Sequence, residues 1–181
     1  MSSFLWFVTG DIHSDGAILN DIIATAQAEG ADKLLIAGDL CPKTPAVSLL
    51  LHNAPFSYVA VKGNCDWLWD FRDSNLAIPQ ETAYLACPDG SHVGMTHGHS
   101  IWDVSAFPYP LVSGDIFVQG HTHVPLLEKD ERGIIHLNPG SPARPRSEYK
   151  ATYAVISEKA VEVRKLKNNK VIMSLQRSTF S

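Results

Sequence analysis

The stretch FLWFVTGDIH, residues 4–13, is an unbroken apolar run that ends in glycine, aspartate and histidine. Apolar runs without alternation are typical of strands buried on both faces, and the glycine marks the loop that follows. The same pattern returns in KLLIAGD, residues 33–39, and in YVAVKGNCD, residues 58–66. The first two stretches therefore predict buried strands and the third predicts a further strand, each ending in a loop that carries polar side chains.

The segments between these strands have helical patterns. Apolar side chains recur at helical spacing over residues 15–29, which predicts a helix with Ser14 as its N-cap and Gly30 just past its end. Thr44 and Pro45 predict the cap and the first residue of a second, short helix. Strands that alternate with helices favour βαβ units and a largely parallel sheet.

The sequence of the second half of the chain predicts strands that are joined by turns. The strands from residue 126 onward are predicted to be antiparallel. Two strands flank Pro88-Asp89-Gly90-Ser91 as a hairpin. The predicted strands are Thr82–Ala86, His92–Thr96, Ile116–Gln119, Leu126–Lys129, Ile134–Leu137, Thr152–Ser157, Ala160–Lys165 and Val171–Leu175. Since no repeat or linker divides the chain, residues 1–181 are predicted to form a single domain of the α/β class.

Composition limits the classes of function. The chain has 15 Lys and Arg residues against 19 Asp and Glu residues, a formal net charge of −4, and so gives no strong signal for binding nucleic acid. No apolar run approaches the ~20 residues of a membrane-spanning helix, and residues 1–10 lack the features of a signal peptide. We therefore expect a soluble, cytoplasmic protein without a membrane partner, in which local groups hold any anionic ligand.

The cysteines and histidines differ in what they indicate. The three cysteines, Cys41, Cys65 and Cys87, are an odd number without a Cys-x-x-Cys pair, so they predict neither a disulfide framework nor a cysteine zinc site. Of the eight histidines, four lie in the clusters His97-Gly98-His99 and His121-Thr122-His123. Each cluster directly follows a predicted strand. The loops that contain Asp11, Asp39 and Asn64 also directly follow predicted strands.

Polar side chains thus follow five predicted strands, at the edge where open α/β sheets bind ligands. Carboxylates, an amide and imidazoles are present, and alternate spacing, as in Asp11 and His13, places two ligands on one side of an extended segment. Oxygen and nitrogen ligands without thiolate suit Mn²⁺, Fe²⁺, Zn²⁺, Ni²⁺ or Mg²⁺, and the residue types do not choose among these ions. The pattern predicts a metal site.

Taken in order, the five segments resemble the signature of the calcineurin-like metallophosphoesterase family. They are Asp11-Ile12-His13, Gly38-Asp39, Gly63-Asn64-Cys65-Asp66, Thr96-His97-Gly98-His99 and Gly120-His121-Thr122-His123. Together with Asn138-Pro139-Gly140-Ser141, they are most similar to the small single-domain phosphodiesterases of bacteria and archaea. The resemblance, which extends from Phe4 to about Arg146, implies a four-layer α/β/β/α sandwich of two mixed sheets flanked by helices.

The resemblance also implies a ligand set and a reaction. Asp11, His13 and His123 would bind one metal ion and Asn64, His97 and His121 a second, with Asp39 bridging both. The implied reaction is hydrolysis of a small phosphodiester by a hydroxide that bridges two divalent metal ions. The expected ion is Mn²⁺, and the alternatives are Ni²⁺, Fe²⁺, Zn²⁺ and Mg²⁺. The implied assembly is a homodimer or a homotetramer.

Four residues are predicted to take part in catalysis: Asp39, Asn64, Cys65 and His99. Cys65 stands where phosphatases of the family have a histidine that assists leaving-group departure, and a thiol with a pKa of about 8.5 is a poorer acid at neutral pH than an imidazole. The hypothesis is that diesters, or other substrates with good leaving groups, are preferred over alkyl monoesters. For His99, substrate positioning or leaving-group protonation stands beside a purely structural role.

Other side chains near these segments have two interpretations. Trp67, Trp69 and Trp102 follow predicted metal-binding segments and could stack on a nucleobase or an aryl leaving group, although core packing is favoured for each. Arg144 and Arg146 could reach a phosphate or belong to an ordinary exposed loop.

The competing class of function is a protein-binding scaffold. The retromer subunit that shares this fold is thought to act mainly in that way, and its metal-site residues depart from the catalytic pattern. Here His13, Asp39 and Asn64 are all retained. We therefore expect an enzyme, a hydrolase acting on phosphoric ester bonds.

Overall fold

The computed structural model describes residues 3–177. Its helices are Gly16–Ala28 (α1), Pro45–His52 (α2) and Leu68–Asp73 (α3), with a 3₁₀ turn at Val104–Ala106. Its strands are Leu5–Thr9 (β1), Lys33–Ile36 (β2), Ser57–Ala60 (β3), Thr82–Ala86 (β4), His92–Thr96 (β5), Ile116–Val118 (β6), Leu126–Lys129 (β7), Ile135–Asn138 (β8), Thr152–Ser157 (β9), Ala160–Lys165 (β10) and Val171–Gln176 (β11). Every strand predicted from the sequence is present. None of the helices among residues 3–177 combines the length and the apolar character that crossing a membrane requires.

The strands form two mixed sheets. The first has six strands in the order β11-β10-β9-β1-β2-β3, and the second has five in the order β4-β5-β6-β8-β7. Pairing is parallel between β1 and β2, β2 and β3, β5 and β6, and β6 and β8, and it is antiparallel between the other neighbours. The predicted parallel pairing of the first three strands is confirmed. Strand β8 was expected to pair only with antiparallel neighbours. It is antiparallel to β7, but it is parallel to β6.

Strand β1 is buried on both faces, as its unbroken apolar run predicted. Trp6 and Val8 face the core between the sheets, where they pack with side chains of both sheets such as Leu35 and Val118. Phe7 belongs to the opposite core and stacks on a tyrosine of β9, with the ring centroids 5.2 Å apart. The alternation of side chains across the strand divides them between the two cores.

The outer faces of the two sheets are covered differently. Helices α1 and α2 cover the six-stranded sheet, and Leu19 and Ile22 of α1 are fully buried there. The five-stranded sheet is covered by the segment 101–111, in which the 3₁₀ turn is the regular element and Phe107 packs edge-on against Phe117. The predicted α/β sandwich of two mixed sheets is therefore confirmed, with few helices and with a loop as its fourth layer.

The N-cap of α1 is Asp15 rather than Ser14, so the prediction of this cap was wrong. Asp15 has an extended backbone, and its Oδ1 accepts a hydrogen bond from the N–H of Ile18 (3.0 Å). Ser14 has a φ of 68°, and its hydroxyl donates to the carbonyl of Cys41 instead. A cap residue needs an extended backbone, which the left-handed conformation of Ser14 excludes.

Helix α3 was not predicted, because its six residues are too few to display a helical period. Phe71 is buried in the same core as α1 and α2, whereas Trp69 is exposed. The helix therefore lies at the edge of the fold, directly after the loop that contains Asn64.

Candidate metal centre

The loops that follow five strands bring the predicted ligands to one end of the two sheets. In the first sheet, β1, β2 and β3 lead to Asp11, Asp39 and Asn64. In the second sheet, β5 and β6 lead to His97 and His121. These strands are parallel within each sheet, so their carboxyl ends meet at one edge, where such sheets bind ligands.

Backbone strain is concentrated in these loops. Ten non-glycine residues have a positive φ among residues 3–177, and five of them are predicted ligands: Asp11 (53°), His13 (49°), Asp39 (51°), His121 (67°) and His123 (62°). Left-handed conformations of such residues cost on the order of 1–3 kcal/mol each and persist only where the surroundings enforce them. The N–H of His13 donates to the carbonyl of Asp39 (2.9 Å), which ties the first two loops together.

Asp11, His13 and His123 form the first predicted ligand group. Nε2 of His123 lies 3.2 Å from Oδ1 of Asp11 and 3.3 Å from Nε2 of His13. Nε2 of His13 lies 4.0 Å from Oδ1 of Asp11. The three atoms are close enough to share one cation.

Asn64, His97 and His121 form the second predicted ligand group. Oδ1 of Asn64 lies 3.1 Å from Nε2 of His97 and 3.0 Å from Nδ1 of His121. Asp39 lies between the groups, with Oδ2 3.8 Å from Nε2 of His13 and Oδ1 3.5 Å from Nε2 of His97. The structure thus brings all seven predicted ligands together, with one carboxylate oxygen of Asp39 facing each group.

The donor set fits divalent metal ions. Oδ1 of Asp11 is buried and, within residues 3–177, has no hydrogen-bond partner, an arrangement that costs free energy unless a cation binds there. Nδ1 of His97 donates to the carbonyl of Ala37 (2.7 Å), and Nδ1 of His123 donates to that of Arg144 (2.7 Å). These hydrogen bonds fix both rings with Nε2 facing the site, as is usual for metal-binding histidines.

Two glycines of the motifs are required by close packing against the ligands. A Cβ atom on Gly63 would collide with the carboxylate of Asp39, and one on Gly38, whose φ is 88°, would collide with the ring of His97. Only glycine lets the backbone pass so close to these side chains. Both glycines are therefore part of the site's construction and not only of its turns.

The buried charges shift one another's pKa values. Burial, together with the Asp39 carboxylate, raises the pKa of Asp11 to about 7 against the opposing effect of His97. Burial would also raise the pKa of Asp39, but hydrogen bonds from His97 and from the N–H of Cys65 (2.8 Å) hold it below its ordinary value. Burial would lower the pKa of His97, yet its hydrogen bond with Asp39 raises it. Burial lowers the pKa of His13 to about 4.

We expect metal binding to release protons from this site below pH 7. Asp11 and His97, whose pKa values are raised, must lose protons to act as ligands, whereas His13 is already neutral at pH 6. Calorimetric titration of metal-stripped protein with Mn²⁺, in two buffers of different ionisation enthalpy, counts these protons. About one proton or more should be released at pH 6 and fewer at pH 8. Equal counts at both pH values would contradict the raised pKa values.

Residues that the sequence analysis did not single out hold the loops in place. Asp66 accepts hydrogen bonds from the N–H groups of Cys41 (2.7 Å) and Gly63 (2.8 Å), which fixes the loop after β3. The hydroxyl of Ser141 donates to the carbonyl of Asp11 (2.9 Å). Asp66 is the last residue of the GNCD motif and Ser141 the last residue of the NPGS motif, so these motifs were the signal that could have identified them.

Two further predicted catalytic residues adjoin the ligands: Cys65, whose Sγ lies within 4.8 Å of ligand atoms of His13 and Asp39, and His99. Sγ of Cys65 accepts a hydrogen bond from the side-chain amide of Asn64 (3.3 Å), and burial with a neighbouring carboxylate raises the pKa of the thiol to about 11. In the metal-free protein this raised pKa keeps the Cys65 thiol protonated at neutral pH. Nε2 of His99 lies 4.0 Å from the carboxylate of Glu81, beside the second ligand group.

The tryptophans near the centre are exposed, so the prediction that each packs in the core was wrong. The exposed fractions are 52% for Trp67, 59% for Trp69 and 74% for Trp102. Helix α3 is too short to bury more than one face, and Phe71 occupies that face.

The loop that contains Arg144 and Arg146 adjoins the first ligand group. The N–H of Arg146 donates to the carbonyl of His123 (3.2 Å), and the carbonyl of Arg144 accepts from the ring of His123. Both arginines are exposed. The loop positions His123 through its backbone, and phosphate binding by the arginines stays a prediction.

Two mixed sheets that gather aspartates, histidines and an asparagine at their strand ends define a metallophosphatase. The chain belongs to the calcineurin-like phosphoesterase superfamily, whose sequence model matches residues 5–160. The resemblance carried by the five motifs is thereby confirmed.

Two bacterial proteins are similar to this chain over much of its length. The chain is 28% identical over 176 residues to Phosphodiesterase YfcE of Escherichia coli K12, a match that covers 90% of this chain and 92% of that protein. It is 30% identical over 112 residues to the probable metallophosphoesterase YsnB of Bacillus subtilis 168, covering 59% of this chain and 60% of that protein. These relatives confirm the predicted similarity to the small bacterial phosphodiesterases of the family.

Solved structures agree with the fold. YfcE, a phosphoesterase from E. coli, superposes with a TM-score of 0.86 and 25% identity, covering 97% of this chain and 100% of that chain. Vps29 from Cryptosporidium parvum has a TM-score of 0.66 and 18% identity, covering 97% and 99% of the two chains. An archaeal phosphodiesterase has a TM-score of 0.65 and 16% identity, covering 96% and 99%. The last two share the fold alone.

Proposed function

We propose that this protein hydrolyses phosphodiesters with two divalent metal ions, and that Mn²⁺ is the preferred ion. The observation that carries the proposal is the position of Asp39, whose carboxylate oxygens each face one ligand group. The names of the relatives, phosphodiesterase and metallophosphoesterase, support the same class of reaction, the hydrolysis of phosphoric ester bonds.

The proposed roles of the residues come from the family resemblance, and their positions support them. When bound, the two metal ions would lower the pKa of a water molecule. Their positive charge would also stabilise the negative charge on the phosphate oxygens. Asp11, His13 and His123 would hold one ion, Asn64, His97 and His121 the other, and Asp39 both. Arg144 and Arg146, exposed next to the first group, would orient the phosphate in a chain whose net charge of −4 otherwise repels it.

A protein-binding scaffold is the weaker alternative. Its support is the likeness to Vps29, which at 18% identity concerns the fold. The complete ligand set and the unpartnered oxygen of Asp11, within the described part of the chain, favour catalysis. A scaffold has no need of strained loops that gather seven metal ligands.

The substrate, the location and the assembly belong to the same proposal. The net charge of −4 favours a small phosphodiester over a nucleic acid. The three cysteines are free in the described residues, which favours a cytoplasmic location because the cytosol keeps thiols reduced. A homodimer or homotetramer is proposed from the family resemblance.

The test is hydrolysis of bis(p-nitrophenyl) phosphate by metal-stripped protein, with and without Mn²⁺. We expect turnover near background without metal and an increase of about 10³-fold or more with Mn²⁺, because metal ions contribute several kcal/mol to such reactions. The same assay with Ni²⁺, Fe²⁺, Zn²⁺ and Mg²⁺ ranks the ions. A folded protein that shows no turnover with any of them would favour the scaffold.

A further inference from the structure

A cleft of about 660 Å³ opens directly beside the second ligand group. Asn64 of that group and His99 line it, so the cleft and the metal centre are continuous. Trp67 and Trp69 contribute from the start of α3, and the segment 78–81 supplies further lining. The volume is typical of small-molecule sites, which range over about 300–1,000 Å³.

The aromatic lining is the unusual feature of this cleft. The indole rings of Trp67 and Trp69 are stacked, with centroids 5.3 Å apart and planes inclined by 12°. Each side chain is more than half exposed, although aromatic side chains gain much stability from burial. A stacked indole pair that stays in solvent beside a catalytic centre offers a flat π surface to a planar ligand.

The rest of the lining is held in place and carries polar groups. The N–H of Lys62 donates to the carbonyl of Gln80 (2.8 Å), which anchors the segment 78–81 next to β3. Nζ of Lys62 and Oε1 of Glu81 form an ion pair (3.3 Å) in which both side chains are about half exposed. A donor and an acceptor are therefore available at the cleft, as the edge of a nucleobase requires.

We propose that this cleft binds the nucleobase of a nucleoside-containing phosphodiester, with the base against Trp67 and Trp69 and the phosphate at the metal centre. The inference rests on the proposed function, which places the phosphate there. An aliphatic chain would pack against the indole rings without stacking on them, and it has no donor or acceptor for the half-exposed Lys62–Glu81 ion pair. A nucleobase uses both features, because every base has a π face and polar edges.

Two diesters that differ only in the base test the inference. They are methyl adenosine 5′-phosphate and the matching methyl diester of a ribose without a base. Each is titrated as a competitive inhibitor while Mn²⁺-loaded protein hydrolyses methyl p-nitrophenyl phosphate. We expect the inhibition constant of the adenosine diester to be about ten-fold lower or more, the effect of one base stacked on an aromatic side chain. Equal inhibition constants would overturn the inference.

Single-residue variants locate the effect. Trp67→Ala and Trp69→Ala should bring the ratio of the two inhibition constants close to one, and Trp69→Phe should retain most of the preference. Trp102→Ala is the matched control, because Trp102 is also exposed but lines a different cleft. A ratio that persists in both alanine variants, or that falls equally in Trp102→Ala, would overturn the inference.

Fluorescence adds a measurement that needs no turnover. The chain has four tryptophans, of which Trp6 is buried between the sheets, so quenching in Trp102→Phe protein reports on Trp67 and Trp69. We expect the adenosine diester, and not the baseless diester, to quench it. Quenching without hydrolysis would support the base site and contradict the proposed function. Hydrolysis without base-dependent quenching would contradict the base site and leave the proposed function standing.

Discussion

Asp39→Asn is expected to reduce metal-dependent hydrolysis by about 10³-fold or more, because it removes the oxygen contact with one of the two proposed metal ions and the negative charge that attracts both. The two carboxylate oxygens of Asp39 face His13 and His97, one in each ligand group. Asparagine has the same size, but it carries no charge and has one acceptor oxygen, so it cannot serve both groups. The measurements are kcat for bis(p-nitrophenyl) phosphate at saturating Mn²⁺ and the metal content per chain.

Asp21→Asn is the matched control for this substitution, since Asp21 is an exposed aspartate of α1 outside both ligand groups. It should leave activity and metal content unchanged. Thermal unfolding of both variants separates loss of activity from loss of structure, because Asp39 also accepts the hydrogen bond from the N–H of Cys65. A folded Asp39→Asn protein with near-normal turnover and full metal content would refute the bridging role.

The buried strands and the loops after them could be predicted because both are determined locally. Strand β1 contributes Trp6 and Val8 to one core and Phe7 to another, so its sequence has no polar alternation. A glycine directly before Asp11 or Asp39 marks the point where the strand gives way to a left-handed loop. The order of the motifs then indicated the side chains that the structure gathers at one edge.

The relations between distant segments could not be predicted from the residues in this way. The two ligand groups lie next to each other because the strand ends of two different sheets meet. No local sequence pattern determines how the two sheets pack together. The orientation of Asp39 depends on the N–H of Cys65, and that of His97 on the carbonyl of Ala37. Hydrogen bonds of this kind depend on the assembled fold.

The two errors at the level of single residues have a related cause. Ser14 and Asp15 are both good N-cap residues, and the choice between them is made by a left-handed φ that the loop imposes on Ser14. Trp67 and Trp69 are large and apolar, and hydrophobicity alone favours the core for them. Their exposure follows from the shortness of α3 and from the cleft beside it.

Cys65→His is expected to raise the hydrolysis of alkyl phosphate monoesters by about 100-fold relative to diesters with good leaving groups, the effect of a general acid. The Cys65 thiol, with its pKa raised to about 11, holds its proton too tightly to donate it efficiently near pH 7. An imidazole with a pKa of about 6.5 donates far more readily. The measurement is the ratio of kcat/KM for glycerol 2-phosphate to that for bis(p-nitrophenyl) phosphate.

Cys65→Ser separates acid catalysis from a change of shape, because serine has nearly the size of cysteine but is no acid in this pH range. It should show no increase for monoesters. In Cys65→His, the increase should fade as the pH rises above the pKa of the imidazole, since only the protonated ring can donate. Nitrophenolate departs without a proton, so the diester rate should change little. A ratio that is the same in all three proteins would mean that Cys65 does not set the preference, and that specificity resides in the contacts of the retained alcohol, such as those in the tryptophan-lined cleft.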